Sequence, residues 1–87
     1  MTAMTIDDLR QILYSAAGAA EHEPGADFAS ATFGDLGYDS LALMELTAAI
    51  SHRFEVAVPE GALEYRTTAQ DTVDLVNQLV GANRDGS

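Results

Sequence analysis

The segment from Ser40 to Phe54 constrains the fold most, because it is amphipathic and contains neither glycine nor proline. At about 100° per residue, one side of this segment is apolar and is predicted to be buried. That side consists of Leu43, Leu46, Thr47, Ile50 and Phe54. The segment therefore predicts a helix that packs its apolar side against the rest of an all-α domain.

The opposite side of this helix also carries apolar residues, close to its start. Leu41 and Met44 lie one turn apart and are flanked by Asp39 and Glu45, whereas Ala48 and His52 follow further along. One exposed apolar residue is normal on a protein surface. Two together, beside acidic residues, favour a small docking patch for another protein.

The start of the helix lies in the string Leu36-Gly37-Tyr38-Asp39-Ser40-Leu41. Asp and Ser are both good N-terminal caps, because their side chains accept hydrogen bonds from free backbone N–H groups. Ser40 also places a hydroxyl at the positive end of a helix, where anions bind well. Ser40 is thus either a cap or a modification site, and capping by Asp39 would free it for modification.

An earlier helix is predicted from Ile6 to Ala17, with Thr5 as its cap and Gly18 at its end. Residues 18–38 are irregular, and we expect an ordered loop with one helical turn. Its apolar anchors are predicted to be Phe28, Phe33, Leu36 and Tyr38.

Two further segments follow the central helix. Val56 and Val58 are predicted to fill the core from a loop, because a lone strand would have no partner. Pro59 suits a helix start, so a short helix is predicted from Glu60 to Leu63 or Tyr65.

The last helix is predicted from Ala69 to Val80, with Thr68 and Asp71 resembling a capping box. We expect Gly81 to end it and residues 82–87 to fray. Its apolar face consists of Val73, Val76, Leu79 and Val80.

Composition limits the possible functions. The chain has 87 residues, with 14 acidic residues against 4 arginines, no lysine and a formal net charge of -10. We therefore expect a single monomeric domain (residues 1–87, core about 5–81) that binds neither nucleic acid nor anionic membranes. The absence of cysteine excludes disulfides and Cys-based zinc sites and suits a cytoplasmic protein. We find no secretory signal and no apolar run near the ~18 residues that span a bilayer.

Residue spacing gives little support for catalysis. A hydrolytic triad needs Ser, His and an acid within hydrogen-bond reach. His52 follows Ser40 on the same helix by roughly 18 Å, at about 1.5 Å per residue, and His22 lies in the irregular loop without a motif around it. No metal-binding or phosphate-binding motif occurs. A protein that is not an enzyme is predicted, with a Ser40 hydrolase as a remote alternative.

The motif Asp39-Ser40-Leu41 resembles that of the acyl carrier protein family, which opens helix II and carries 4′-phosphopantetheine on its serine. The longer string from Leu36 to Glu45, with Tyr38 before the Asp-Ser pair, is most similar to the discrete carriers of bacterial type II (aromatic) polyketide synthases. The segment Val56-Ala57-Val58-Pro59 also matches. The resemblance implies three main helices plus a short one, with a long loop between helices I and II.

The resemblance also implies site residues. Ser40 would be the attachment site, Asp39, Leu41, Met44 and Glu45 would recognise partners, and Leu46, Gln70 and Asn77 would line a cleft for the arm or its cargo. For Asn77 a plain polar residue at a helix edge is an equal alternative. The chain departs from the family at Ser51-His52-Arg53, where fatty acid carriers have acids. It departs again at Thr68-Ala69-Gln70-Asp71, where polyketide carriers often have Thr-Pro-Arg-Glu.

The implied function is to tether malonyl units and a growing polyketide as thioesters. The implied partners are a phosphopantetheinyl transferase, malonyl-CoA:ACP transacylase, ketosynthase/chain-length factor, ketoreductase and cyclases. The alternatives are a carrier of another pathway (fatty acid, peptidyl or D-alanyl) and an acidic helical adaptor without a prosthetic group.

Overall fold

The computed structural model describes residues 3–18, 25–59 and 61–85. Within these ranges the chain forms three α-helices, one 3₁₀ helix and no strand, apart from an isolated bridge between Thr32 and Thr68. The helices are α1 (Ile6–Ala17), the 3₁₀ helix (Gly25–Ser30), α2 (Ser40–Phe54) and α3 (Ala69–Asp85). The predicted all-α fold with three main helices is confirmed.

Helix α1 begins and ends as predicted. The Asp8 amide donates to Thr5 Oγ1 over 3.0 Å, and the Thr5 amide donates to Asp8 Oδ2 over 3.1 Å, which completes a capping box. Gly18 ends the helix at φ 86°, a conformation that glycine adopts without steric cost, and its amide donates to the Tyr14 carbonyl. Local chemistry alone thus defines both ends of α1.

The core lies between the three helices and the two connections that join them. Helix α2 buries Ala42, Leu43, Leu46 and Ile50, and Thr47 and Phe54 are half-buried. All four predicted anchors of the first connection are buried, and so are Val56 and Val58 of the second. The rest of the apolar core comes mainly from α1, α3 and Leu63, namely Met4, Leu9, Ile12, Leu13, Leu63, Ala69, Val73, Val76 and Val80. Burial of the loop anchors holds both connections on the helices.

The short helix predicted near Tyr65 does not form, and this prediction is wrong for residues 61–65; Glu60 lies outside the described residues. The backbone of Gly61 has φ 82°, which an α-helix does not accommodate. The carbonyls of Tyr65 and Thr67 accept hydrogen bonds from the amides of Gly34 and Phe33. Residues 61–68 are therefore a series of turns tied to the first connection, and the observed short helix is the 3₁₀ helix instead.

The predicted end of α3 at Gly81 is also wrong, because the helix continues to Asp85. Glycine in a helix costs about 1 kcal/mol relative to alanine, but it does not force the chain out of the helix. Gly81 is followed by Ala82, a strong helix former, and by no proline. The predicted cap is present, since the Asp71 amide donates to Thr68 Oγ1 over 3.0 Å. The last two residues of the predicted frayed tail lie outside the described residues.

The segment before α1 is tied to α3 by one side chain. The Met4 amide donates to Asn77 Oδ1 over 2.7 Å, and Asn77 Nδ2 donates back to the Met4 carbonyl over 3.0 Å. Asn77 therefore satisfies both backbone groups of Met4, whose side chain is buried.

Candidate functional site

Asp39 caps helix α2. Its side chain accepts a hydrogen bond from the Ala42 amide over 2.9 Å, and its carbonyl accepts from the Leu43 amide over 3.0 Å. Ser40, the first residue of the helix, is exposed and makes no hydrogen bond through its hydroxyl to any other described residue. The structure thus divides the two roles between neighbours, with Asp39 as the cap and Ser40 free to project its hydroxyl.

The position of Asp39 and Ser40 is fixed by Tyr38. Tyr38 is only 6% exposed, its hydroxyl donates to the Gly18 carbonyl over 2.8 Å, and its amide donates to the Phe33 carbonyl over 3.0 Å. The residue before the cap is therefore held by the end of α1 and by the first connection. The backbone just before Ser40 is consequently held in place, although Ser40 itself is exposed.

An apolar groove of ≈ 870 Å³ opens beside Ser40. Helix α2 forms one wall and the turns of residues 61–66 form the other. Most of its lining side chains are apolar. The lining residues are Ser40, Leu43, Met44, Thr47, Ala48, Gly61, Leu63, Glu64, Tyr65 and Arg66. We refer to this feature as the Ser40 groove.

The groove runs from the start of α2 toward its middle. The backbone of Tyr65 and Thr67 is bonded to Gly34 and Phe33, which directly precede the approach to Ser40. At the other end, the Val58 amide donates to Ser51 Oγ over 3.4 Å, so this part of the second connection lies along the last turns of α2. Tyr65 and Arg66 therefore lie at the Ser40 end of the groove.

Three large apolar side chains are exposed around this end of α2. Leu41 is 61% exposed, Met44 is 67% exposed and Tyr65 is 53% exposed. Glu45 is exposed as well. The predicted exposure of Leu41 and Met44 is confirmed, and Tyr65 extends the apolar surface across the groove.

The groove carries one ion pair on its rim. Arg66 Nε lies 3.2 Å from Glu64 Oε1, with the two side chains 86% and 51% exposed. Ion pairs this exposed add little to folding stability. Among the described residues that line the groove, Arg66 is the one cation.

The three residues assigned to a cleft do not line this groove. Leu46 is fully buried in the core. Gln70 is exposed and donates to Asp74 Oδ1 over 2.9 Å. Asn77 is occupied with the backbone of Met4. Their role in a cleft stays a prediction.

The groove wall opposite α2 was missed by the sequence analysis. Leu63, Glu64, Tyr65 and Arg66 were assigned to a short helix or left without a role. An aromatic residue beside an arginine, shortly after Pro59 and Gly61, is a signal that could have drawn attention to it. The contacts that place it come from Phe33 and Gly34, far away in sequence.

Other kinds of site find little support in the described ranges. His52 is exposed near the far end of α2, and His22 lies outside the described residues. In residues 3–18, 25–59 and 61–85, no group of three or more His, Asp or Glu side chains could hold a metal ion. The helices of these ranges are all too short or too polar to cross a membrane.

Comparison with known proteins agrees with this geometry. Residues 7–76 match the family described as "Phosphopantetheine attachment site". The chain is 39% identical to the actinorhodin polyketide synthase acyl carrier protein of Streptomyces coelicolor over 77 residues, which cover 87% of this chain and 90% of the relative. It is 40% identical to the granaticin polyketide synthase acyl carrier protein of Streptomyces violaceoruber, over 88% of this chain and 92% of the relative.

The fold is similar to a solved structure of the same kind. The solution structure of the 3,7-dioxo-octyl actinorhodin acyl carrier protein from Streptomyces coelicolor superposes with a TM-score of 0.79 at 35% identity. The superposition covers 94% of this chain and 96% of that one. The chain belongs to the acyl carrier protein family, whose members are carrier subunits that hold acyl groups on covalently bound 4′-phosphopantetheine.

Proposed function

We propose that this chain is the discrete acyl carrier of a type II polyketide synthase and that Ser40 carries its arm. The observation that carries the proposal is the exposed Ser40 hydroxyl at the mouth of an apolar groove, beside a helix cap that Asp39 provides alone. The similarity to the actinorhodin and granaticin carriers supports the pathway. The cytoplasm is the proposed location.

The arm adds a terminal thiol on which acyl groups are held as thioesters. In the loading step, Ser40 Oγ bonds to the β-phosphorus of coenzyme A. The bond from that phosphorus to the bridging oxygen breaks, 3′,5′-ADP leaves, and the hydroxyl proton passes to a base of the transferase. This chain contributes the exposed Ser40 hydroxyl as the nucleophile. Modification of that hydroxyl would not disturb the cap of α2, because the Asp39 side chain provides it.

The Ser40 groove is the proposed resting place of the arm and its cargo. Apolar side chains on both walls, Leu43 and Met44 on α2 and Leu63 and Tyr65 opposite, offer a surface that removes apolar groups from water. The groove is open to solvent, so that a bound chain can leave for the next enzyme.

The proposed docking surface consists of Asp39, Leu41, Met44 and Glu45. Its apolar pair supplies contact area, and its acids steer basic patches of partner enzymes toward the Ser40 end of α2. The proposed partners are a phosphopantetheinyl transferase, malonyl-CoA:ACP transacylase, ketosynthase/chain-length factor, ketoreductase and cyclases. A small patch suits brief binding, since each acyl state must be passed on.

The proposal is tested by measuring intact mass after incubation with coenzyme A and a phosphopantetheinyl transferase. We expect one phosphopantetheinyl group on the wild-type chain and none on Ser40→Ala. The matched control is Ser51→Ala, which changes another serine of α2. An unmodified wild-type chain, or a Ser40→Ala variant that still acquires the group, would refute the attachment site and favour the adaptor without a prosthetic group.

The pathway is tested with the loaded protein. We expect malonyl transfer from malonyl-CoA:ACP transacylase, followed by chain extension with a type II ketosynthase/chain-length factor. Extension only with fatty acid synthase enzymes, or loading only by an amino-acid-activating ligase, would place the carrier in another pathway while leaving Ser40 as its attachment site.

A further inference from the structure

We propose that Arg66 binds the phosphodiester of the arm and so aligns the arm with the Ser40 groove. This inference rests on the proposed function, because it requires the arm on Ser40. It assigns a positioning role to a residue of the turns that face α2.

The placement of Arg66 is the first observation behind this proposal. Ser40 and Arg66 line the same groove. The backbone on either side of Arg66 is held by two hydrogen bonds, from the Gly34 amide to the Tyr65 carbonyl over 2.8 Å and from the Phe33 amide to the Thr67 carbonyl over 3.1 Å. These bonds keep Arg66 at the end of the groove where the arm begins.

The order of chemical groups along the groove is the second observation. The phosphodiester is the first group after Ser40 Oγ, so it lies at the Ser40 end, where the groove has its cation. Further along α2 the lining residues are Ala48 and Thr47, whose hydroxyl donates to the Leu43 carbonyl, and this suits less polar groups. The cation of the groove thus lies where the arm begins, beside apolar side chains such as Met44 and Tyr65.

The charges around Ser40 are the third observation. Asp39 precedes Ser40, Glu45 lies on the next turn of α2 and Glu64 lines the groove, so these three charges near Ser40 are negative. The positive end of α2 attracts a phosphodiester there and these carboxylates repel it, so a cation that faces the phosphodiester strengthens its binding. The pair with Glu64 uses Nε of Arg66, which leaves the donors of both Nη groups for a phosphate.

The test follows the arm's phosphorus by ³¹P NMR in the loaded protein. Chemical shift and transverse relaxation of the phosphorus give the ratio of arm held against the folded protein to arm free in solvent. The urea-unfolded loaded chain is the reference for the free arm. Spectra are recorded between about 0.01 and 1 M NaCl, over which the screening length falls from about 30 Å to about 3 Å. We expect the wild-type phosphorus to be held at low salt and released at high salt.

Three variants separate Arg66 from the general field of the protein. Arg66→Gln should lower the held-to-free ratio at low salt by about 1.5- to 5-fold, the range typical of an exposed charge pair. Arg53→Gln, which removes the same charge from the last turn of α2, should leave the ratio unchanged. Glu64→Gln removes the competing carboxylate and should raise it.

The experiment distinguishes failure of the proposed function from failure of the inference about Arg66. A chain that acquires no arm at Ser40 overturns the proposed function and this inference together. A normal phosphorus signal that is identical in wild type and Arg66→Gln at all salt concentrations overturns only this inference. An equal loss in Arg53→Gln and Arg66→Gln also overturns it, because the effect would then come from net charge.

Discussion

The two sides of helix α2 carry similar side chains in opposite environments. Leu43, Leu46 and Ile50 are buried in the core, whereas Leu41 and Met44, one or two residues away in sequence, are mostly exposed. Helical geometry alone separates them, since successive residues point about 100° apart. The inner side therefore stabilises the domain, and the outer apolar side chains remain available for binding other molecules.

The largest expected difference between the two sides is in stability. Leu46→Ala removes a fully buried side chain and should lower the free energy of unfolding by about 2–5 kcal/mol. Met44→Ala, two residues before Leu46 and so about 200° away around the helix, should change it by no more than about 0.5 kcal/mol. Urea unfolding followed by circular dichroism measures both. A loss above about 2 kcal/mol for Met44→Ala would mean that its side chain is buried in solution.

The next difference is between Asp39, which caps α2, and Ser40, the proposed attachment site. Asp39→Ala leaves the Ala42 amide without its acceptor and should cost about 0.5–2 kcal/mol in the free energy of unfolding. Ser40→Ala should cost less than about 0.5 kcal/mol, because its hydroxyl makes no bond that the helix needs.

Thermal and urea unfolding of the two single variants, each compared with wild type in the unloaded form, make this comparison. Equal losses in the two variants would show that both residues cap the helix, and would contradict the assignment of the cap to Asp39 alone, which rests on the bond from Ala42 to Asp39.

The smallest expected effect concerns the charge of the outer side. Glu45→Arg should leave stability nearly unchanged and slow acyl transfer to a ketosynthase through the encounter rate, more at low salt than at high salt. Asp74→Arg on α3 makes the same charge change outside the docking surface and serves as the control. Stopped-flow or quench-flow transfer rates across a salt series would contradict the surface if the two variants were slowed equally.

The glycines show how far the sequence predicts the fold. Gly18 ends α1 as predicted, where capping at the other end and the lack of a further apolar stripe agree with it. Gly81 does not end α3, because glycine permits a change of direction without forcing one. Gly61 lies in the short helix that was predicted after Pro59, and its left-handed backbone forms a turn there instead. Glycine is therefore informative only together with its neighbours' hydrogen bonds.

The site residues also differ in how far the sequence predicts them. Leu41 and Met44 lie on the same helix, so helical periodicity was sufficient to predict that both are exposed, whereas capping chemistry placed Asp39 and Ser40 at its start. Tyr65 and Arg66 reach the groove only because their backbone neighbours bind residues some thirty positions earlier. No local pattern contains that pairing, and the second wall of the groove could not be predicted.

The free hydroxyl of Ser40 has a consequence for how the protein is recognised. Because the cap depends on Asp39, occupying Ser40 changes no bond on which the domain's shape depends. If Ser40 is the attachment site, as proposed, the unloaded and loaded forms would have the same fold, and the fold would not reveal the loading state. An enzyme that must distinguish the two has to sense the arm, or its cargo, by direct contact.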